Sequence, residues 1–143
     1  MSATREQVAE ALLAKIAPDG LGYATVGRRN RDPEGMPKPA IMLLEYGEQT
    51  DRQAVNLPPT RRWQYRALIY IDVESDETKI PAAVLNPFLD AIDAALVGDD
   101  VMSGRSTLGG LVYSALVSGE TVRSPGEQTG LAAAIVPIEV IVP

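Results

Sequence analysis

The chain contains, at residues 62–74, the stretch RWQYRALIYIDVE. Along it every second side chain is apolar, which is the period of a strand with one buried face. The buried face is predicted to carry Trp63, Tyr65, Ala67, Ile69, Ile71 and Val73. The other face carries Arg62, Gln64, Arg66, Asp72 and Glu74, interrupted by Leu68 and Tyr70. At about 3.3 Å per residue this strand spans roughly 43 Å, so part of it is expected to project beyond a small domain.

Trp63 and Tyr65 have two interpretations. As members of an apolar strand face they are core side chains. If the strand overhangs the domain, they are instead anchors of a subunit interface, where Trp, Tyr and Arg are enriched.

Before this strand the sequence predicts one helix and two strands. Thr4 and Gln7 are spaced as a capping box that starts a helix. The turn-forming residues 18–20, Pro-Asp-Gly, end it. Strands are predicted at residues 21–28 and at about 40–47. The second is apolar on both faces and is therefore expected to lie inside its sheet.

After the long strand, Asn86 and Pro87 predict the start of a second helix, because Asn can cap and Pro fits the first helical position. Gly98 is predicted to end this helix. Residues 80–85 are expected to add only an irregular turn before it.

The remaining strands are short except the last. A strand is predicted at 111–117, followed by a turn at Ser118-Gly119 and a short return strand at 121–123. The final strand covers Leu131 to Val142. Pro137 within it predicts an edge strand or a bulge, because Pro cannot donate to a sheet.

The element order is therefore α-β-β-β-α-β-β-β. Strands grouped in runs with few helices indicate an α+β fold, with a mainly antiparallel sheet of five to six strands packed with two helices. The chain has 143 residues, which fits one domain, so residues 1–143 are expected to form a single unit.

Composition excludes several chemistries. The chain has no Cys and no His, which excludes disulfides, thiolate nucleophiles, imidazole bases and metal sites built on those ligands. No apolar run approaches the roughly 20 residues that cross a bilayer, and the N-terminus has no basic leader before an apolar core. We therefore expect a cytoplasmic chain outside the membrane. A net charge of −6 argues against a general nucleic-acid binder.

Basic residues are nevertheless clustered at two places. Residues 29–39 and 48–60 are predicted to be long loops. The first loop and its border carry Arg28, Arg29, Arg31 and Lys38, and the second is followed by Arg61, Arg62 and Arg66. The first loop has three interpretations: a solvated surface, a protein-docking segment, or a nucleic-acid contact. Only Tyr23 is near enough in sequence to stack on a base, so protein docking is favoured over nucleic acid.

Two carboxylate pairs are the only acid–base candidates. Asp90 and Asp93 share a helix, and Asp72 and Glu74 share a strand face. Because neither pair has converging partners, solvated surfaces are favoured over a catalytic site or a hard-cation site. Residues 103–110, SGRSTLGG, superficially resemble a phosphate-binding loop but lack its signature, so a turn or bulge at Gly109-Gly110 is favoured.

The layout resembles the bacteriophage tail terminator, or tail-completion, proteins. The resemblance is carried by the long strand RWQYRALIYI at 62–71, the helix NPFLDAIDAAL at 86–96 and the segment TLGGLVY at 107–113. An N-terminal helix, a Gly119 turn and a final apolar strand complete it. It covers nearly the whole chain, and minor head–tail joining proteins look similar.

The resemblance implies an α+β virion protein that closes into a hexameric ring on the head-proximal end of a tail tube. The ring ends tube polymerisation and joins the head connector, and DNA passes through its lumen without specific binding. Its partners are further copies, the tube protein and the connector or neck protein, and assembly takes place in the bacterial host cytoplasm. No cofactor, metal or catalytic residue is implied.

The expected interface residues are basic and aromatic. They are Arg28, Arg29, Arg31, Lys38, Arg61, Arg62, Trp63 and Tyr65. A closed ring requires two different patches that meet, and a basic loop on an acidic chain supplies such an asymmetry. Two other function classes stay open: a small enzyme that uses carboxylates, and an adaptor that binds DNA or a peptide.

Overall fold

A computed structural model of the chain describes residues 3–51, 60–72, 80–98, 106–124 and 131–142. Its elements are α1 (Arg5–Ile16), β1 (Thr25–Gly27), β2 (Ala40–Asp51), β3 (Thr60–Asp72), α2 (Pro81–Ala95), β4 (Ser114–Val117), β5 (Val122–Ser124) and β6 (Leu131–Val142). Single 3-10 turns lie at Asp19–Leu21 and Pro33–Gly35. All strand pairs are antiparallel except β1 with β2. The α+β class, the mainly antiparallel sheet and the element order are confirmed.

Strand β3 lies in the middle of the sheet. The strand order is β1-β2-β3-β6-β4, and β5 also pairs with β6. Strand β6 follows β3 from the pair Arg61–Val142 to the pair Asp72–Leu131. The expected projection of β3 beyond the domain is not seen in the described residues, because β2 and β6 are nearly as long and pair with it. The predicted end of the strand at Val73 and Glu74 lies outside those residues.

Both helices pack on one face of the sheet, here called the inner face. From the helices this core takes Val8, Leu12 and Ile16 of α1 and Leu85, Leu89 and Ile92 of α2. Alternate side chains of β3 and β6 meet them, and full burial of each such side chain contributes about 1.5–3 kcal/mol. Trp63 and Tyr65 belong to this core and are only 5% and 3% exposed. Their role in an interface stays a prediction.

The start of α1 follows the predicted capping box. The backbone N–H of Gln7 donates to Thr4 Oγ1 at 3.2 Å, and the backbone N–H of Thr4 donates to Gln7 Oε1 at 2.9 Å. Two donors that the helix itself cannot satisfy are thereby paired.

Helix α2 begins at Pro81 and not at the predicted Asn86. Pro81 occupies the first turn, where a missing N–H costs nothing, and Pro87 lies inside the helix. Pro87 leaves the carbonyl of Ala83 without its helical donor, but Ala83 is exposed, so water can replace that donor. Buried leucines on both sides of Pro87 hold the helix together. The irregular turn predicted at residues 80–85 is therefore wrong.

Two strands are shorter than predicted. The strand expected at 21–28 is limited to β1, because the chain first makes a 3-10 turn and Gly22 has φ +87°. The strand expected at 111–117 is limited to β4. Gly109 and Gly110, with φ +73° and +93°, form a turn before it, as the favoured interpretation of these glycines predicted.

Pro137 predicts an edge strand or a bulge. Because β6 lies inside the sheet the edge alternative is wrong, whereas pairing along β6 is interrupted beside Pro137, between β4 and β5. Strands β4 and β5 do not pair with each other but lie end to end along β6, paired up to Ile138 and from Ile135. The carbonyl of Pro137 accepts a hydrogen bond from Ser118 N at 3.0 Å, so the ring nitrogen faces the same side. The N–H that Pro137 lacks would therefore point to the gap between β4 and β5, where neither strand pairs with it.

Candidate interaction surface

Residues 28–39 connect β1 to β2 and cover part of the sheet face opposite the helices, here called the outer face. Met36 is buried there against Ala40, Met42 and Leu68. Lys38 Nζ lies 3.3 Å from Asp72 Oδ1 and donates to the carbonyl of Met36 at 3.2 Å. The Lys38 side chain is only 7% exposed. This predicted interface residue therefore holds its own loop on the sheet.

Arg28 is also engaged within the chain, on the helix side. It donates two hydrogen bonds of 2.8 Å to the carboxylate of Glu6 in the first turn of α1, and a further one to Glu45 of β2. Hydrogen bonding to Arg28 lowers the pKa of Glu6, and hydrogen bonding to Glu6 raises the pKa of Arg28. The pairing joins the end of β1 to α1 and β2.

A second ion pair lies beside it. Arg5 Nη2 donates to Glu48 Oε2 at 3.0 Å, and Arg5 Nε also binds this carboxylate. The guanidinium carbon lies 5.4 Å from the centre of the Trp63 ring. The hydrogen bond from Arg5 lowers the pKa of Glu48. Sequence analysis misses this contact, because Arg5 and Glu48 are 43 positions apart and no local spacing connects them.

The second basic cluster is only partly paired. Arg62 Nε lies 3.3 Å from Asp51 Oδ2, but this buried nitrogen makes no hydrogen bond within the described residues. Arg61 is exposed. The cluster therefore mixes one ion pair on neighbouring strands with a solvated cation.

A β-bulge positions the third member of this cluster. Glu45 pairs with Tyr65 and Gly47 with Gln64, which leaves Tyr46 without an opposite residue. The exposed Tyr46 ring lies under the guanidinium of Arg66, 3.6 Å from its centre. This cation–π pair lies on the outer face.

The predicted interface residues thus do not form one patch. Arg28 binds carboxylates on the helix side of the sheet, and Lys38 binds Asp72 on the outer face. Both contacts hold the loop at residues 28–39 in place. Arg29 and Arg31, which flank the Asn30 that contacts the Tyr70 hydroxyl at 3.4 Å, are exposed and make no ion pair in the described part of the chain. Of the predicted interface residues in the described part of the chain, Arg29, Arg31 and Arg61 are therefore the exposed cations without an ion pair.

The carboxylate candidates are dispersed. Asp90 and Asp93 are exposed on α2, Asp72 is paired with Lys38, and Glu74 lies outside the described residues. Among described residues no group of three or more acidic side chains is placed to hold a metal ion. Burial raises the pKa of Tyr65 to about 12, so its phenol stays protonated at neutral pH. Residues 103–105 of the glycine-rich segment also lie outside the described part.

Exposed apolar side chains form a feature that sequence analysis did not predict. They lie at both ends of α2, at Ile80, Val84 and Val97, and on the strands, at Val26, Tyr46, Leu116 and Val122.

In the parts of the chain that are described, no helix has the length and hydropathy of a membrane span.

Comparisons with known proteins identify a shared fold. Neither the protein-family models nor the curated proteins give a match. A chain of a solved structure described as the virion of a native gene transfer agent particle superposes with a TM-score of 0.60 at 13% sequence identity. The superposition covers 94% of this chain and 93% of that chain.

Proposed function

We propose that the protein is a structural component of a phage-like virion and acts as a tail terminator. In this role it closes with further copies into a hexameric ring on the head-proximal end of the tail tube. The ring ends polymerisation of the tube and presents a surface to the head connector. It is assembled in the bacterial host cytoplasm and stays in the virion.

The fold shared with a chain of a gene transfer agent virion carries this proposal. The two chains match over 94% and 93% of their lengths, so the likeness extends over nearly all of the fold described here. At 13% identity the fold is retained with little of the sequence.

The distribution of charge supports an assembly role. The chain carries a net charge of −6, yet Arg29, Arg31 and Arg61 are exposed cations. A surface that is mostly acidic with a local basic loop lets one side of a subunit attract a different side of the next, as a closed ring requires. The remaining negative charge repels DNA, so that DNA passes through the lumen without adhering.

Length-limited assembly of the tube tests the proposal. Purified tail tube protein from the same particle is polymerised with and without this protein, and tube lengths are measured by negative-stain electron microscopy. We expect shorter tubes that carry a ring at one end. The matched control is a variant with Arg29→Glu and Arg31→Glu, because both residues are exposed and make no ion pair within the described residues. This variant is expected to fold and to cap the tubes less efficiently. Tubes of unchanged length without a ring would contradict the proposal.

A DNA-binding measurement distinguishes the adaptor alternative. A ring through which DNA passes freely has no measurable affinity for short duplexes at about 0.15 M salt. An adaptor that contacts phosphates would bind, and its affinity would fall steeply as salt is raised.

A further inference from the structure

One side of strand β2 is unpaired over more than half of its length. Strand β3 pairs with the other side of β2 all the way to Asp51. On the open side, β1 pairs only with residues 40–42. From Glu45 to Asp51, no strand in the described part of the chain lies beside β2 on that side. We call residues 45–51 the β2 edge segment.

The backbone of the β2 edge segment is free to bind another strand. Within the described residues, its backbone hydrogen bonds are those of the ladder with β3. In such a ladder every second residue directs its N–H and C=O away from the paired strand. At about 3.3 Å per residue, the segment therefore offers roughly 23 Å of edge with unused donors and acceptors.

The side chains of this segment do not shield it from another strand. Charged side chains, Lys above all, and Pro are usual means of keeping an edge unpaired. The segment, EYGEQTD, contains no Lys and no Pro. Its carboxylates are each paired with an arginine of the same chain: Glu45 with Arg28, Glu48 with Arg5 and Asp51 with Arg62.

A pocket of about 220 Å³ opens beside the segment. Its charged lining is Arg5, Glu45 and Glu48, and its aromatic lining is Tyr46, Trp63 and Tyr65. Alternate side chains of a strand point to the same face, so a strand added to the edge can place one side chain in this pocket. Because the lining offers both donors and acceptors next to aromatic rings, the amide of a Gln side chain fits it.

An extended polypeptide is the ligand that satisfies such an edge, and strand addition is a common mode of peptide recognition. The other outer strands of this chain offer little to pair with it. Strands β1 and β5 have three residues each. Strand β4 is partly covered, because the N–H of Ala115 donates to the carbonyl of Ser106 at 2.8 Å. A strand from a different protein is therefore favoured over a second copy.

We propose that the β2 edge segment binds an extended segment of a different polypeptide, which adds to the sheet as a strand and places one side chain in the pocket beside Trp63. The inference goes beyond the proposed function, because it assigns a docking site for a strand and holds with or without a ring. For a virion subunit, the strand comes from a neighbouring protein of the same particle.

Hydrogen exchange of the full chain, measured by NMR, tests whether the edge is free. We expect about half of the amides in the β2 edge segment to exchange rapidly. Amides of β3, which lies between two strands, are expected to be protected. Uniform protection of the segment in a dilute sample would overturn the inference.

A short synthetic peptide, in which Val and Thr alternate around a central Gln, is the probe for strand addition. It is expected to shift the emission of Trp63, the only Trp of the chain, and to protect the exposed amides of the segment. The control peptide has the same side chains with every backbone nitrogen methylated, so it cannot donate to a strand. We expect the control to bind at least about tenfold more weakly. Equal binding of the two peptides, or no binding of either, would overturn the inference.

Gly47→Lys provides an independent arm, because Lys on an edge disfavours strand addition. A Cβ at Gly47 lies 3.5 Å from Gln64 Oε1, which is an ordinary contact, so the fold is expected to accept it. Gly20→Lys is the matched control, because no atom lies within 4 Å of its added Cβ. We expect the first variant to weaken peptide binding about tenfold and the second to leave it unchanged, with unchanged circular dichroism in both. Equal binding by two folded variants would overturn the site.

The remaining outcomes separate this inference from the proposed function. Protection of the segment that appears without peptide and rises with protein concentration would assign the edge to a second copy and overturn the proposed partner. A protein that binds the peptide but stays a single copy would support the docking site and contradict the ring. Rings that form while the peptide does not bind would do the reverse.

Discussion

Arg28 holds Glu6 with two parallel hydrogen bonds of 2.8 Å, across 22 positions of the chain. The same guanidinium binds Glu45, so one side chain joins β1, α1 and β2. Beside it, Arg5 binds Glu48. Helix α1 is therefore attached to the sheet by charged contacts at its first turn and by apolar packing along the rest.

This network predicts a loss of stability in acid. The pKa values of Glu6 and Glu48 lie below the usual 4.5 in the folded protein, because arginines donate to both carboxylates. Their contribution is present above the unfolded-state pKa and is lost as pH falls through the folded-state pKa. Denaturant unfolding at about pH 7 and about pH 3 should show that Glu6→Gln with Glu48→Gln reduces this loss. Glu10→Gln, on the same helix but without an ion pair in the described residues, should keep the wild-type dependence. An equal loss in all three proteins would contradict the role of the network.

Truncation of a core residue in β3 should be costly. Ile69 is fully buried between the helices and the sheet, so Ile69→Ala is expected to reduce the free energy of unfolding by about 2–5 kcal/mol. Val122→Ala removes an exposed side chain from β5 and should change it by less than about 0.5 kcal/mol. Equilibrium denaturation in urea measures both. Equal effects would show that β3 is not the centre of the core.

Gly119 should resist substitution. Its φ of +117° is rarely adopted by other residues, and a Cβ there would lie 3.1 Å from Cγ of Pro137. Gly119→Ala is therefore expected to destabilise the fold by about 1–3 kcal/mol. Gly20→Ala is the matched control, because no atom lies within 4 Å of its added Cβ. Thermal unfolding of the two variants should differ by several degrees; a Gly119→Ala protein as stable as Gly20→Ala would contradict the close approach to β6.

The two exposed arginines of the loop should affect assembly and not folding. Arg29→Ala with Arg31→Ala is expected to weaken ring formation, with a larger effect at low salt, because exposed charges are screened. Native mass spectrometry measures ring formation, and circular dichroism checks the fold. Arg28→Ala, which breaks the contact with Glu6, is instead expected to lower stability. A normal yield of rings from the first variant would remove the loop from the interface.

Local patterns predicted most of the fold but not its charged contacts. The period of two in β3 and the capping box at Thr4 act over a few residues, so the sequence reveals them. The sequence predicts the start of α2 at Asn86 because Pro87 fits the first helical position, whereas packing of leucines on both sides of Pro87 extends the helix past it. From the sequence alone Pro137 predicts an edge strand or a bulge, because the gap between β4 and β5 that accommodates it inside the sheet arises only when three strands come together.

The predicted interface residues show the same difference between local patterns, which the sequence reveals, and contacts between distant segments, which it does not. Clustering of basic residues in sequence did not predict that Arg28 and Lys38 would bind carboxylates on opposite sides of the sheet. Their partners come from distant segments, and the apolar exposure of α2 depends on which side of the helix the core occupies. The carboxylate partners of Arg28 and Lys38 and the apolar exposure of α2 thus both depend on tertiary structure.

The mass of the particle that the protein forms in solution tests the central claim most directly. Native mass spectrometry of the purified chain, alone and with tail tube protein, is expected to give an assembly of six copies of the 15.3 kDa chain. A single copy at every concentration, with and without the tube protein, would contradict a ring-forming virion subunit.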